Sequence, residues 1–331
     1  MRKKWFVILI VLILATSLIA GCGGAKKEEA KEDPKKEEPK YPTNSITYVI
    51  PFDAGGQSDI EARRQQPHLE KILGQKVLIE YKPGAGGALG WTELTRAKPD
   101  GYYMTGINIP HIILQPAQRS DAGYKTEDIN PVALFQATPV GLAVLKDSPF
   151  QTIDDFIAYA KENPGKITVA GSGTLSGHDI ARLQLEKYAD IKLEYIPYTG
   201  AAPSLQAFLG GHNMAILANS NDLVQHKDKI RVLAFGSAER YKVFPDSPTF
   251  MEKGFDMLPS IDRGVGVPPG TPAEVIKTLE DAFMQIANDP EIQKQMVEQG
   301  FVPLAMGHEE SKAYIEKTKQ QYLEILAAVK K

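Results

Sequence analysis

Three glycine-rich loops, each lying between a strand-like run and a helix-like run, constrain the fold of this chain more than any other feature. They span residues 51–59, 83–88 and 170–178. The first loop follows the β-branched run Ile46–Ile50 and leads into a helical pattern that begins at Ser58. Because strand-like and helix-like runs alternate along most of the chain that follows, the sequence predicts an α/β fold of mostly parallel sheets covered by helices.

The chemistry of these loops favours an anion-binding site. Glycine lets the backbone come close to a ligand, and the free N–H groups at a helix N-terminus attract negative charge. In open α/β sheets, ligands bind beyond the carboxyl ends of the strands. Each loop alone is equally well explained as a tight turn, but three loops in equivalent places predict one anion-binding cleft built from two domains.

Other kinds of site fit the sequence less well. A dinucleotide site requires G-x-G-x-x-G, and Leu89 and Ser176 stand where the third glycine would be. The six histidines show no metal-binding spacing, so we expect neither a metal nor a cofactor. The formal net charge of −3 argues against a nucleic acid as partner.

The N-terminus predicts export and membrane attachment. Basic residues at positions 2–4 precede a short apolar run, which is typical of an export signal over residues 1–21. The only cysteine, Cys22, follows Leu-Ile-Ala-Gly, and this run resembles the bacterial lipoprotein lipobox. The resemblance implies that Cys22 is lipidated and holds the protein on the extracytoplasmic face of the cell membrane, with residues 22–43 as a charged linker. An uncleaved N-terminal anchor is the alternative.

Short motifs are spread over almost everything after Tyr41. They are YP at 41–42, VIPF at 49–52, GGQSD at 55–59, LGQKV at 73–77, KPGAGG at 82–87, PDGY at 99–102, NPGK at 163–166, PYTG at 197–200, PT at 248–249 and VPPGTP at 267–272. Each motif is weak alone. In order and spacing together, they resemble the extracytoplasmic solute receptors of tripartite tricarboxylate transporters, also called the Bug family.

The resemblance implies a type II periplasmic-binding-protein fold, in which two α/β domains close on a ligand in the cleft between them. We expect residues 44–139 and 264–331 to form domain 1 and residues 140–263 to form domain 2, with crossover strands near 140–145 and 264–267. The implied ligand is a small organic anion, either a di- or tricarboxylate, an aromatic acid or an amino acid. The receptor would deliver it to membrane transporter subunits, and no catalytic residue is implied.

The resemblance also implies which residues bind the ligand. In this family the first-domain loops hold a ligand carboxylate largely through backbone N–H groups and ordered water. The positions carried over are Phe52, Gly55, Gly56, Ser58, Asp59, Ala85, Gly86 and Gly87 in domain 1, and Ser172, Thr174, Ser176, His178, Tyr198, Thr199 and Gly200 in domain 2.

Two further candidates lie where the sequence departs from the family. Many relatives have an Asp-Asn pair where this chain reads LANS at 217–220, so Asn219 keeps the amide but lacks the acidic neighbour. Many relatives have aromatic residues where this chain reads SIDRG at 260–264. Arg263 could pair with a distal carboxylate of the ligand, or it could be a solvated hinge residue.

Two other functions stay open from the sequence. An exported hydrolase of the same fold would use Ser176 and His178, which requires that the nucleophile and the base lie within hydrogen-bond reach. A ligand-sensing receptor for a signalling partner would share every feature of the transport receptor. If His178 donates to the ligand as an imidazolium, the affinity should fall as the pH rises through roughly 6 to 7.

Overall fold

The structure of this chain is a computed structural model that describes residues 41–329. The expected export signal, the lipidation site Cys22 and residues 22–40 of the expected linker lie outside the described residues. Among the residues that are described, no helix combines the length and the apolar character that a membrane span requires.

The first part of the chain alternates strands and helices, as the sequence predicts. Its first helix is followed by Gly74, whose left-handed conformation (φ 67°) is the one that glycine favours at a helix end. The elements are β1 (Ile46–Ile50), α1 (Gln57–Leu73), β2 (Val77–Tyr81), α2 (Ala88–Arg96), β3 (Tyr103–Ile109), α3 (His111–Gln118) and β4 (Asn130–Leu145).

The second part repeats the alternation and ends in helices. Thr152 caps the first of these helices by accepting a hydrogen bond from the backbone N–H of Asp155 (3.1 Å). The elements are α4 (Ile153–Glu162), β5 (Thr168–Ser172), α5 (Gly177–Ala189), β6 (Glu194–Tyr198), α6 (Ala201–Leu209), β7 (Ala215–Asn219), α7 (Ser220–Gln225), β8 (Ile230–Phe235), β9 (Ser260–Val267), α8 (Ala273–Ala287), α9 (Pro290–Glu298), β10 (Val302–Met306) and α10 (His308–Val329).

The strands form one sheet in the order β2-β1-β3-β9-β4-β7-β5-β6, and β8 and β10 also pair with β4. A first strand set, β1 to β3, is parallel, and so is a second strand set, β5 to β7. The pairings of β4 and β9 are antiparallel. The predicted α/β fold is confirmed, and parallel pairing holds for the two strand sets that lead into the loops.

The long strand β4 connects the two strand sets. Its residues up to Pro139 pair with β9 and β10, and its residues from Val140 pair with β7 and β8. The sequence predicted a strand only over the second half. Proline donates no hydrogen bond to a sheet, and the ladder between β4 and β9 is irregular next to Pro131. The prolines therefore weaken the strand pattern in the first half of β4, so that the sequence does not predict this half as a strand.

The two largest hydrophobic cores of the described residues use different parts of the chain. One is formed by residues within 46–135 and 265–301, including Phe283 of α8. The other is formed by residues within 140–261, including Phe156 of α4. Helix α8 thus packs on the first strand set although it follows the second along the chain. The division into domain 1 and domain 2 stays a prediction.

Candidate functional site

A cavity lies where strands of both sets end. It has room for about 20 Å³ of water-sized molecules, which is close to the space that one ordered water needs, roughly 10–15 Å³. The cleft is therefore closed in this structure and must open to admit a larger ligand. Residues that end or follow β1, β3, β5, β6 and β7 contribute to its wall, together with β9. The lining residues are Phe52, Asp53, Gly56, Gln57, Ser58, Asn108, His111, Ser172, Gly200, Ala201, Ala202, Pro203, Asn219, Ile261 and Arg263.

Three helices begin at the wall of this cavity without a side-chain cap. Helix α1 begins at Gln57, α3 at His111 and α6 at Ala201, and in none of them does the capping residue's side chain bond the first-turn N–H groups. These N–H groups lack partners within their helix and form the positive end of the helix dipole. Three such ends around one cavity favour a negatively charged occupant.

Arg263 of β9 is a buried cation in the same cavity, with 4 % of its surface exposed. Its Nη1 donates to the hydroxyl of Thr138 and to the carbonyl of Ile261, while its Nε has no partner among residues 41–329. No carboxylate of residues 41–329 lies within 4.0 Å of its nitrogens. Burial lowers the pKa of Arg263 to about 10, so the guanidinium stays charged at neutral pH. A buried charge without an ion-pair partner favours an anion beside it.

A chain of hydrogen bonds runs along the wall of the cavity. The N–H of Ser172 donates to Nδ1 of His178 (3.1 Å), and Nε2 of His178 lies 3.4 Å from Oδ1 of Asn219. Nδ2 of Asn219 donates to Oδ2 of Asp222 (3.3 Å), and Nε2 of Gln57 donates to Oδ1 of Asp222 (2.6 Å). One carboxylate therefore links the start of α1 to the end of β7.

Both histidines near the cavity are neutral. Burial lowers the pKa of His178 to about 3, and its two ring nitrogens face protein groups. The imidazolium on which the expected loss of affinity above pH 6 depends is therefore absent at neutral pH, so the condition for that loss is not met. Burial and the nearby Arg263 also hold the pKa of His111 well below its usual range. Among residues 41–329, no group of three or more His, Cys, Asp or Glu could hold a metal ion.

The sequence matches one known family over most of its length. Residues 61–330 match the family described as tripartite tricarboxylate transporter family receptor. The chain belongs to this receptor family. The UPF0065 protein in the gbd 5' region of Cupriavidus necator is 32 % identical to it over 82 % of this chain and 83 % of that protein. Protein BugT of Bordetella pertussis is 28 % identical over 83 % of this chain and 86 % of that protein.

Solved structures of relatives have the same fold. The periplasmic binding protein BugD is 28 % identical, with a TM-score of 0.82 over 87 % of this chain and 98 % of that chain. MatC from Rhodopseudomonas palustris, solved with bound malate, is 25 % identical, with a TM-score of 0.81 over 86 % of this chain and 99 % of that chain. The periplasmic-binding-protein fold is thus confirmed, and with it the role of an extracytoplasmic solute-binding receptor.

The structure brings part of the site expected for the receptor family into the cavity. The first loop and the ends of β5, β6 and β7 contribute as expected, and Arg263 lies inside the cavity rather than in solvent. The expected residues that line it are Phe52, Gly56, Ser58, Ser172, Gly200, Asn219 and Arg263.

The other expected residues lie outside the cavity lining. The carboxylate of Asp59 accepts a hydrogen bond from the N–H of Gly55 (2.8 Å), which fixes the shape of the first loop. Ser176 uses its hydroxyl to cap α5, and the hydroxyl of Tyr198 donates to Asn213 (2.9 Å). The expected residues that do not line the cavity are Gly55, Asp59, Ala85, Gly86, Gly87, Thr174, Ser176, His178, Tyr198 and Thr199.

The second glycine loop contacts the third loop instead of the cavity. Gly86 has a positive φ of 65°, and a Cβ at this position would lie 2.4 Å from Nε2 of Gln115. The same Nε2 donates to the carbonyl of Thr174 (3.1 Å). The close approach that glycine permits here serves this contact between loops.

Several cavity-lining residues were not predicted from the sequence. Gln57 stands inside the motif GGQSD, and Asn108 and His111 lie at the end of β3 as the glycine loops lie at the ends of β1 and β5. The strand-end rule applied to β3 would have found them. The acidic group that is missing beside Asn219 is supplied by Asp222, one helical turn further on.

Two buried carboxyl groups near the cavity make the stability of the fold depend on pH. Burial raises the pKa of Asp222 to about 6 and that of Glu61 to about 7. Such a group holds its proton more tightly in the folded state, so the free energy of unfolding falls as the pH rises from the unfolded to the folded pKa. The neutral histidines act in the opposite sense. Because burial lowers their pKa in the folded state, the free energy of unfolding falls as the pH falls below the pKa of an unfolded histidine, ~6.5.

We expect Asp222→Asn to gain stability relative to the wild type as the pH rises from about 4 to about 6. The gain should be on the order of 2–3 kcal/mol in the free energy of unfolding, since one pKa unit corresponds to ~1.4 kcal/mol. Denaturant unfolding of both proteins across this range measures it, and Asp246→Asn, which removes an exposed carboxylate, is the control. A difference that does not change with pH would contradict the raised pKa.

Proposed function

We propose that the cavity binds a small organic carboxylate in its ionised form and that this receptor delivers it to the membrane subunits of its transporter. The observation that carries the proposal is the convergence on one cavity of three uncapped helix N-termini and of the Arg263 guanidinium, which has no ion-pair partner among the described residues. Backbone N–H groups and guanidinium groups both bind carboxylates, and hydrogen bonds between charged groups are the strong ones.

The relatives support the same ligand class. MatC is solved with malate, a dicarboxylate. Once the cleft between the two strand sets opens to admit it, a dicarboxylate would place one carboxylate against the first turns of α1 and α6 and the other against Arg263. His111 lines the cavity and is neutral, so Arg263 is the lining residue that carries a full positive charge.

Calorimetry and thermal unfolding with a panel of acids test the proposal. The panel contains succinate, malate, citrate, benzoate and aspartate, with the neutral diamide succinamide as control. A bound acid at a hundredfold excess over its Kd should add ~2.7 kcal/mol to the free energy of unfolding, and succinamide should add nothing. Failure of every acid to bind or to stabilise the protein would refute the proposal.

The proposal includes binding without chemical conversion. Ser176, the expected nucleophile of a hydrolase, makes no hydrogen bond to His178 within the described part of the chain. The hydroxyl Oγ of Ser172 does lie within hydrogen-bond distance of Nδ1 of His178, at 3.0 Å. An imidazole with a pKa of about 3 is too weak a base to take a serine proton at neutral pH. The bound acid should therefore be recovered unchanged, as NMR of the ligand after incubation can establish.

We expect Cys22→Ser to release the protein from the membrane or to leave its N-terminus unprocessed. The lipobox-like run before Cys22 motivates the lipid anchor, and serine offers no thiol for lipidation. Membrane fractionation and mass spectrometry of the N-terminus measure both outcomes, with Ser17→Ala as the matched control in the expected signal. A variant that stays in the membrane with a normally cut N-terminus would rule out this anchor.

A further inference from the structure

The direction of the hydrogen bonds along the cavity wall is fixed by a group that can only donate. The backbone N–H of Ser172 donates to Nδ1 of His178, so the neutral ring carries its proton on Nε2. That N–H faces Oδ1 of Asn219, and the amide of Asn219 consequently turns its NH₂ towards Asp222. Each step leaves one orientation for the next side chain.

The last side chain of this series is Gln57. Asp222 accepts from Asn219 through one oxygen and from Nε2 of Gln57 through the other. Because an ionised carboxylate only accepts, Gln57 must present its NH₂ to Asp222 and keep its Oε1 free. Gln57 lines the cavity and is 3 % exposed, and its Oε1 has no partner among the atoms of residues 41–329.

A free, buried carbonyl oxygen requires a hydrogen-bond donor, which a carboxylate cannot supply. An unsatisfied acceptor in such a place is costly. His111, on the same cavity, is buried and neutral, and its Nδ1 has no partner in the part of the chain that the structure describes. The cavity therefore combines donors for a carboxylate with neutral polar groups suited to a group that both donates and accepts.

We infer that the ligand is a hydroxy acid, whose hydroxyl donates to Oε1 of Gln57 while its carboxylates meet Arg263 and the helix N-termini. This inference rests on the proposed function and narrows its ligand class. An ammonium group could also donate, but Arg263 would repel it, and the carboxylate of Asp222 is already engaged by Gln57 and Asn219. Asp53, which lines the cavity and is only half-buried, is the remaining acidic group on the wall.

Two pairs of acids that differ mainly by one hydroxyl test the inference. They are malate against succinate and citrate against tricarballylate, each measured by calorimetry on the full protein. We expect at least one hydroxy acid to bind about tenfold or more tightly than its partner, because the partner leaves Gln57 Oε1 unsatisfied. L-Aspartate is measured beside malate. If aspartate binds more tightly than malate, the donor to Gln57 is an ammonium group rather than a hydroxyl, and the inference is overturned.

Substitution of Gln57 tests whether this side chain reads the hydroxyl. In Gln57→Met, the ratio of the affinity for the hydroxy acid to the affinity for the plain acid should fall to about one, because the hydroxyl loses its acceptor. Gln115→Met is the matched control, because it removes a buried amide that donates to Thr174 outside the cavity. It should leave the ratio unchanged even if it weakens both acids.

The outcomes separate the two proposals. If no acid binds, the carboxylate receptor itself is refuted. If hydroxy and plain acids bind equally well, the receptor stands and the inference falls, because water or a rearranged amide then satisfies Gln57. If Gln57→Met still binds the hydroxy acid more tightly than the plain acid, another side chain recognises the hydroxyl, and the inference is also overturned.

Discussion

Arg263→Gln should lower the affinity for a dicarboxylate by roughly thirtyfold or more. Truncating one partner of a buried, hydrogen-bonded charge pair costs on the order of 2–5 kcal/mol, and ~1.4 kcal/mol corresponds to a factor of ten. Arg263 lines the cavity. Among the described residues, its buried Nε has no hydrogen-bond partner and no carboxylate lies within ion-pair distance of its guanidinium. The carboxyl groups of Asp222, Asp262 and Glu61 act on this charge from beyond ion-pair distance, so a ligand carboxylate beside Arg263 would be its first direct ion-pair partner. Calorimetry with the acid found to bind measures the loss.

Two further variants show whether this loss reflects the charge and its geometry. Arg263→Lys keeps the charge but loses the planar guanidinium, so we expect an intermediate affinity. Arg240→Gln removes an exposed arginine that pairs with Glu252 (3.0 Å) outside the cavity, and its affinity should equal that of the wild type. Circular dichroism without ligand checks the fold. A well-folded Arg263→Gln protein with wild-type affinity would show that the cavity does not use this cation.

The sequence predicted the fold well where local patterns determine it. Strands with β-branched residues and helices with apolar periodicity, such as β1 and α8, are visible without any tertiary information. Three of the segments that it missed contain prolines, namely Pro116 in α3, Pro303 in β10 and Pro131 in β4, whereas the short helix α7, which it also missed, contains none. Proline weakens both the helical and the strand pattern, and only packing against neighbouring elements reveals these segments.

The site was predicted in part for a related reason. Position after a strand predicts that a residue lies at the binding edge of the sheet, and Ser58 and Ser172, which it selects, line the cavity, as does Asn219, which the family resemblance selects. It does not predict which side chains are used by the protein itself. Ser176 caps its own helix and His178 is held by Ser172 and Asn219, so neither lines the cavity. Such internal hydrogen bonds depend on distances that spacing along the chain does not contain.

Asp222 is a residue near the cavity whose role the sequence did not predict. The absence of an acidic residue next to Asn219 suggested that a carboxylate was lost from the site. The structure supplies one from the following helix, where Asp222 accepts from both Asn219 and Gln57. A side chain one turn into a helix can replace a neighbour in sequence, because residues three apart lie on the same face.

Phe283→Ala should destabilise the protein by about 3–5 kcal/mol, the usual cost of removing a buried phenylalanine. Phe283 is 1 % exposed and stacks on Phe135 with ring centres 5.6 Å apart, while Tyr48 meets it edge-on at 6.3 Å. Phe156→Ala in the second core should cost as much, because Phe156 is fully buried against Phe150 at 5.4 Å. Val297→Ala, at a residue that is 53 % exposed, should change stability by less than ~0.5 kcal/mol.

The part of the chain that each of these substitutions destabilises tests the expected division into two domains. If the cores belong to separate domains, hydrogen exchange of Phe283→Ala should quicken in peptides from 46–135 and 265–301 and stay slow in peptides from 140–261. Phe156→Ala should give the opposite pattern. Equal quickening in all peptides for both variants would mean that the chain opens as one unit. A bound acid should slow exchange on both sides of the cavity in either variant, because residues of both strand sets line it and a ligand that contacts both stabilises each against opening.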